Sequence, residues 1–242
     1  MPPKSLPLKQ ALLDAMSVAG NSIEAAQYLV TRVKKILTDA KLLEKSQDFM
    51  QKIEDFAKYT TFKLLSQAQS WSGQQTETVG FKNMQGNMAV DALKKLDSLS
   101  GDIAKVIKFD FAIDNNANIV RGFSAQGKPL DANAVASLDI LFNAWLAEHN
   151  IISKNGTLFQ ANPDGEIQVD ANGKEIKANS NLVKQLIAEK SFSDYAAKKG
   201  VKLVSEEHPF PSAQHDKQTQ KAAHDAIEAV SSDEETMRTR SR

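Results

Sequence analysis

The chain has 242 residues, 41% of them hydrophobic and 25% charged, which is enough apolar material for a packed core and lies outside the range of disordered or fibrous chains. Thirty Lys plus Arg balance thirty Asp plus Glu, so the bulk positive field that nonspecific nucleic-acid binding needs is missing. The absence of cysteine excludes disulfide frameworks, thiolate metal ligation and thiol catalysis together.

From Leu6 to about Lys108 the pattern is helical. Two lysines precede an apolar stretch near the N-terminus, but Asp14 interrupts it, so an amphipathic helix is expected there rather than a signal peptide. Ile23, Ala26, Val30, Val33 and Leu37 recur at three- and four-residue steps, with Asn21 as N-cap and Glu24 as its capping-box partner. Phe49, Ile53, Phe56 and Ala57 mark another helix, continued by Leu64, Leu65, Ala68 and Trp71. The Gly- and Gln-rich stretch Ser72 to Asn87 reads as a loop, after which Val90, Leu93, Leu96, Leu99, Ile103, Val106 and Ile107 resume the stripe. Four or five such helices imply a bundle over residues 1–108.

At Phe109 the period changes to two. FDFAI and IVRGF flank the Asn-rich turn DNNAN, a β-hairpin signal. Asp131 caps a helix from Ala132 to about His149, on which Leu138, Leu141, Phe142, Trp145 and Leu146 spread round much of the circumference. That helix should be the centre of its core. A second hairpin is expected from GTLFQA and GEIQVD around NPDG, followed by a helix over Ser180–Lys190. The two hairpin-helix units match at a spacing of 46 residues, with Gly127 and Lys128 answered by Gly173 and Lys174. A short helix stopped by Gly200 and a strand Val201–Val204 close an α+β domain over 109–205. The fold class is therefore mainly α, with a helical bundle, a small α+β domain and, over 206–242, a flexible tail. Within the tail, Ala222, Ala223, Ala226, Ile227 and Val230 lie on one side of a marginal helix, too short to be stable alone.

Candidate chemistry is sparse. Asp114, Asn116 and Asn118, and later Asn162 and Asp164, resemble calcium-loop ligands, but aligning Gly165 to the central glycine puts Gln160 and Ala171 where carboxylates must stand. Turn formation accounts for them. His149, His208, His215 and His224 offer no pair three or four apart on a helix, so no zinc site is expected. Glu206, Glu207 and His208 adjoin Pro209 and Pro211 in what reads as a polar linker, where nothing would tune their pKa values. No nucleophile elbow, phosphate loop, dinucleotide fingerprint or zincin motif occurs. Neither catalysis nor a cofactor is expected. Only five arginines occur, three of them in the last five positions, which disfavours nucleic acid. No run approaches the length of a membrane span; the densest, Leu138–Leu146, is broken by Asn143, and a soluble, cytoplasmic protein without direct membrane insertion is expected.

These readings leave an interaction protein, an adaptor or scaffold, whose partners are other proteins. Its contact residues are expected at Ala222, Ala223, Ala226, Ile227 and Val230. The acidic SSDEET followed by RTRSR, with Glu234 and Glu235 as the matching positions, resembles the glutamate-rich C-terminal signals of Dot/Icm type IV secretion substrates. In general character a two-domain chain with a partner-seeking tail is also similar to the non-enzymatic accessory subunits around that system's coupling ATPase, of the DotY kind. The resemblance implies an accessory subunit of the coupling complex or, as the alternative, a translocated effector. An enzyme without a recognisable motif is the third possibility.

Overall fold

The computed structural model describes residues 7–43, 46–76 and 106–240, of which 70–76, 234, 235 and 237–240 are described by backbone alone. Backbone packing divides the chain into two units, one of Met1–Leu64 with Pro211–Arg242 and the other of Leu65–Phe210. The expected boundaries after 108 and after 205 meet a different grouping: the C-terminal helix packs with the N-terminal ones.

In the first unit, α1 (Leu8–Ala19), α2 (Ile23–Asp39), the first part of α3 (Gln47–Thr76) and the C-terminal helix, α7 (Ala213–Arg240), surround one core. Leu12, Leu29, Val33, Leu37 and Ile53 are fully enclosed there together with Ala223 and Ile227. The cap of α2 is Ser22 rather than Asn21. Ser22 has extended backbone and its Oγ accepts from the Ala25 N–H at 3.1 Å, whereas the Asn21 N–H bonds back to Val18 O in the preceding turn. Helix α3 runs through Ser72–Thr76, so that part of the expected loop is helical; residues 77–87 and the stripe from Val90 to Ile103 lie outside the described residues. Helical propensity continues past Gly73 because Gln, Ser and Thr impose only small penalties at a helix end.

In the second unit, β1 (Ile107–Ile113) and β2 (Ile119–Ala125) form the expected hairpin, with Ile107 in a strand and not on a helix. The sheet also contains β3 (Lys128–Pro129) and β6 (Leu203–Glu207) in the order β3-β2-β1-β6, and β6 runs parallel to β1. A flexible tail does not begin at 206. Parallel pairing with β1 satisfies one edge of the backbone through Glu207, and the His208 N–H still donates to Phe111 O at 2.8 Å.

Helix α4 (Ala132–Glu148) is capped by Asp131, whose Oδ1 accepts from the Asn133 and Ala134 N–H groups. Trp145, expected at the core's centre, is 1% exposed. Its ring meets those of Phe142 and Phe192, and Phe109 meets the same two, with ring centroids 5.1–5.6 Å apart throughout. The last turns of α3 lie on β2: Gln69 accepts from the Phe123 N–H at 2.7 Å and donates to Phe123 O at 2.9 Å. This close approach needs Gly122, since a Cβ there would stand 2.8 Å from Leu65 Cγ.

The second hairpin forms one turn earlier than expected. β4 (Ile151–Lys154) and β5 (Thr157–Gln160) turn at Asn155 and Gly156, with φ of +51° and +71°, the double left-handed geometry of a tight hairpin. NPDG makes a turn between isolated bridges instead. Three segments then close a ring of backbone bonds: Gln160 N–H to Ile176 O, Ile176 N–H to Gln168 O and Gln168 N–H to Gln160 O, at 2.8–2.9 Å. These residues are eight apart, so the local repeat has a short period, while the units 46 residues apart differ in strand pairing. Helices α5 (Ser180–Ala188) and α6 (Ser191–Lys198) lead to β6.

Candidate functional site

The residues expected to bind a partner lie on α7, and most face inward. Ala223, Ala226, Ile227 and Val230 are buried against the first unit's core and Ala222 is exposed. Glu234 and Glu235 belong to the helical backbone of the last turns. A ten-residue helix is marginal in isolation, but here the stripe sits within 28 helical residues and packs on α1, so burial supplies what propensity does not. The helix is also latched at its start. The Ser212 Oγ accepts from the His215 N–H, Tyr59 Oη donates to Asp216 Oδ1 at 2.6 Å, and Lys63 Nζ lies 2.6 Å from Asp216 Oδ2. Burial works against the Asp216 carboxylate, but hydrogen bonds from Lys63 and Tyr59 outweigh it and hold its pKa below the ordinary value. The Tyr59 phenol is pushed well above its ordinary range by burial and by that carboxylate.

The second unit holds an ionic cluster. Asp110 on β1 and Glu206 on β6 are register partners, two like charges side by side on one face of the sheet. Lys108 stands two residues before Asp110 on β1, and His208 two residues after Glu206, just past the end of β6. Lys108 Nζ lies 2.9 Å from Asp110 Oδ1 and 2.7 Å from Glu206 Oε2, and His208 Nε2 lies 2.6 Å from Asp110 Oδ1. Asp110 and His208 are buried. Desolvation opposes the Lys108 ammonium, yet bonds to Glu206 and Asp110 more than compensate and raise its pKa. A linker reading of residues 206–208 misses this group because only the parallel pairing of β6 with β1 brings Asp110 to them.

Elsewhere in the unit, Arg121 Nε bonds Asp139 Oδ1 at 2.7 Å, both side chains being nearly enclosed, while Arg121 Nη2 has no partner. Asn143, one turn along α4 from Asp139, is 5% exposed with both amide atoms unbonded. The Asp114 loop is a turn: Oδ1 accepts from the N–H groups of Asn116 and Asn118, and Oδ2 from the Asn118 amide.

Residues 4–224 match the DotY family model. The chain belongs to the DotY family. The type 4 apparatus protein DotY of Legionella pneumophila is 38% identical over 203 residues, 83% of each chain. The family match ends within α7, ahead of Ala226, Ile227 and Val230 as well as of Glu234 and Glu235. The last dozen residues, which carry the likeness to a secretion signal, lie beyond this match. Among the described residues no helix is long and apolar enough to cross a membrane.

Proposed function

We propose that the protein is a non-catalytic, protein-binding accessory subunit of a bacterial type IV secretion apparatus, an adaptor acting in the cytoplasm beside the coupling ATPase. The observation that carries this reading is membership of the DotY family, with an apparatus protein matched over 83% of both chains. The shape of α7 supports it. The helix spends its apolar stripe on its own core up to Val230, and Ser232, Asp233 and Thr236 beyond are exposed. The contact surface of the tail is accordingly moved from the Ala222–Val230 stripe to the turns after it, which carry acidic Asp233, Glu234 and Glu235 and then Arg238 and Arg240. A charged segment of this kind gives specificity and encounter rate in a complex more than raw affinity.

The test is to recover affinity-tagged full-length protein and a variant lacking 231–242 from the native cell and to identify co-purified proteins by mass spectrometry. Apparatus components should accompany the full chain and be depleted with the truncated one, while both variants keep the same melting transition. Recovery of the full chain without any apparatus component refutes the subunit reading. Delivery of a reporter-fused chain into a host cell would instead support the translocated-effector alternative.

A further inference from the structure

We propose that the outer edge of β6 pairs with the same edge of a second copy of this chain, antiparallel about a two-fold axis at Val204, so that two sheets join into one. The edge is open. Lys202 O accepts from the Ile107 N–H at 2.9 Å and the His208 N–H donates to Phe111 O at 2.8 Å, so the even-numbered residues here bond towards β1. The alternate residues of a strand paired on one side turn their N–H and C=O groups away from that partner. These are Leu203, Ser205 and Glu207, and among the described residues none of their main-chain groups bonds another segment. The opposite edge of the sheet is closed: β3 pairs with the end of β2, and Gln69 holds both main-chain groups of Phe123. An edge left bare is a template for another strand.

The side chains decide which strand fits. Lys202, Val204 and Glu206 alternate on the face that carries Lys108 and Asp110, since Val204 is the register partner of Lys108 and Glu206 of Asp110. Val204 is 55% exposed, and Val106, two residues before Lys108, is exposed as well. Lys202 is exposed and takes part in no ion pair among the described residues. Glu206 gives Lys108 its Oε2 and keeps Oε1 available. Turned antiparallel on itself about Val204, this stretch is self-complementary. Val204 lies against Val204 of the second copy, and each Lys202 lies opposite Glu206 of the other copy, which makes two cross-strand pairs of opposite charge. The same register sets Leu203 opposite Ser205, outward-facing residues that exchange both main-chain hydrogen bonds. A register centred on Ser205 would oppose Val204 to Glu206 and Lys202 to His208, and loses these matches. Because the contact uses the same surface on both copies, it closes at two rather than growing into a fibre. It stands independently of the chain's place in a secretion apparatus.

The test uses the full-length protein. Sedimentation equilibrium should show a reversible monomer–dimer equilibrium in the micromolar range, because a contact of one short strand is small. Lys202→Glu opposes like charges twice and should weaken the dimer at least about tenfold, and so should Glu206→Lys. Mixed together, these two variants restore opposite charges in both pairs, so the mixture should dimerise about as tightly as wild type while neither does alone. Misfolding cannot produce that rescue. In this cysteine-free chain, Val204→Cys should form a disulfide-linked dimer under mild oxidation. Residues opposite each other in a non-hydrogen-bonded pair stand about 4.5 Å apart at Cα, within disulfide reach. Tyr28→Cys, at an exposed position of α2, should not be trapped in this way. Protein that stays monomeric up to about 1 mM overturns the proposal and leaves the edge to a strand of another protein. A dimer that Lys202→Glu does not weaken, or that Val204→Cys does not trap, overturns it too, because the copies then meet elsewhere.

Discussion

Ile227 decides whether α7 is part of the body or an arm that waits for a partner. The side chain is fully enclosed among Leu12, Leu29, Val33 and Ile53 of α1, α2 and α3. Ile227→Ala removes three carbons, worth about 0.8 kcal/mol each in transfer alone, and the cavity left behind brings the cost to about 2–5 kcal/mol. Against an ordinary total of about 5–15 kcal/mol, that is a large share of the unit's stability. The assay is urea unfolding followed by circular dichroism, with hydrogen exchange read by mass spectrometry on peptides from α1, α7 and the second unit. Exchange should accelerate in α1 and α7 and stay unchanged around Trp145. Ala222→Ser, at an exposed position of the same helix, serves as control and should shift stability by no more than about 0.5 kcal/mol. A loss below about 0.5 kcal/mol for Ile227→Ala, or unchanged exchange in α1, would refute the packing of α7 in this chain's own core.

Two further outcomes follow from polar groups. Asn143→Leu replaces a buried amide with two unbonded atoms by an apolar side chain of similar volume, so it should raise the urea midpoint of the second unit, by about 1–3 kcal/mol of stability; a lowered midpoint would show that the amide has partners in solution. Asp216 has a folded pKa below its ordinary carboxylate value, so its contribution is complete above the unfolded pKa of about 3.9 and is lost as pH falls through the folded one. The difference in melting temperature between wild type and Asp216→Asn should therefore be constant near neutral pH and shrink below about pH 4. A difference that grows on acidification contradicts the latch.

What local sequence determined is what depends on neighbours a few residues apart. The apolar circumference of Leu138 to Leu146 gave α4 and placed Trp145 in its core, and Asp131 and the DNNAN turn gave a cap and a hairpin, because capping, turn chemistry and periodicity act within one turn or one strand. The same local logic read His208 as part of a solvated linker and the stripe from Ala222 to Val230 as unpartnered. Tertiary structure alone decided those. Parallel pairing of β6 with β1 joins residues about a hundred positions apart, and it turns two ordinary alternating segments, K-x-D at 108–110 and E-x-H at 206–208, into one ionic cluster. The burial of Ile227 likewise requires helices from the other end of the chain. Periodicity tells which face of an element is apolar, but not what covers it; the partner face is fixed only when the whole core closes, since hydrophobic burial is non-directional and sums over every element present.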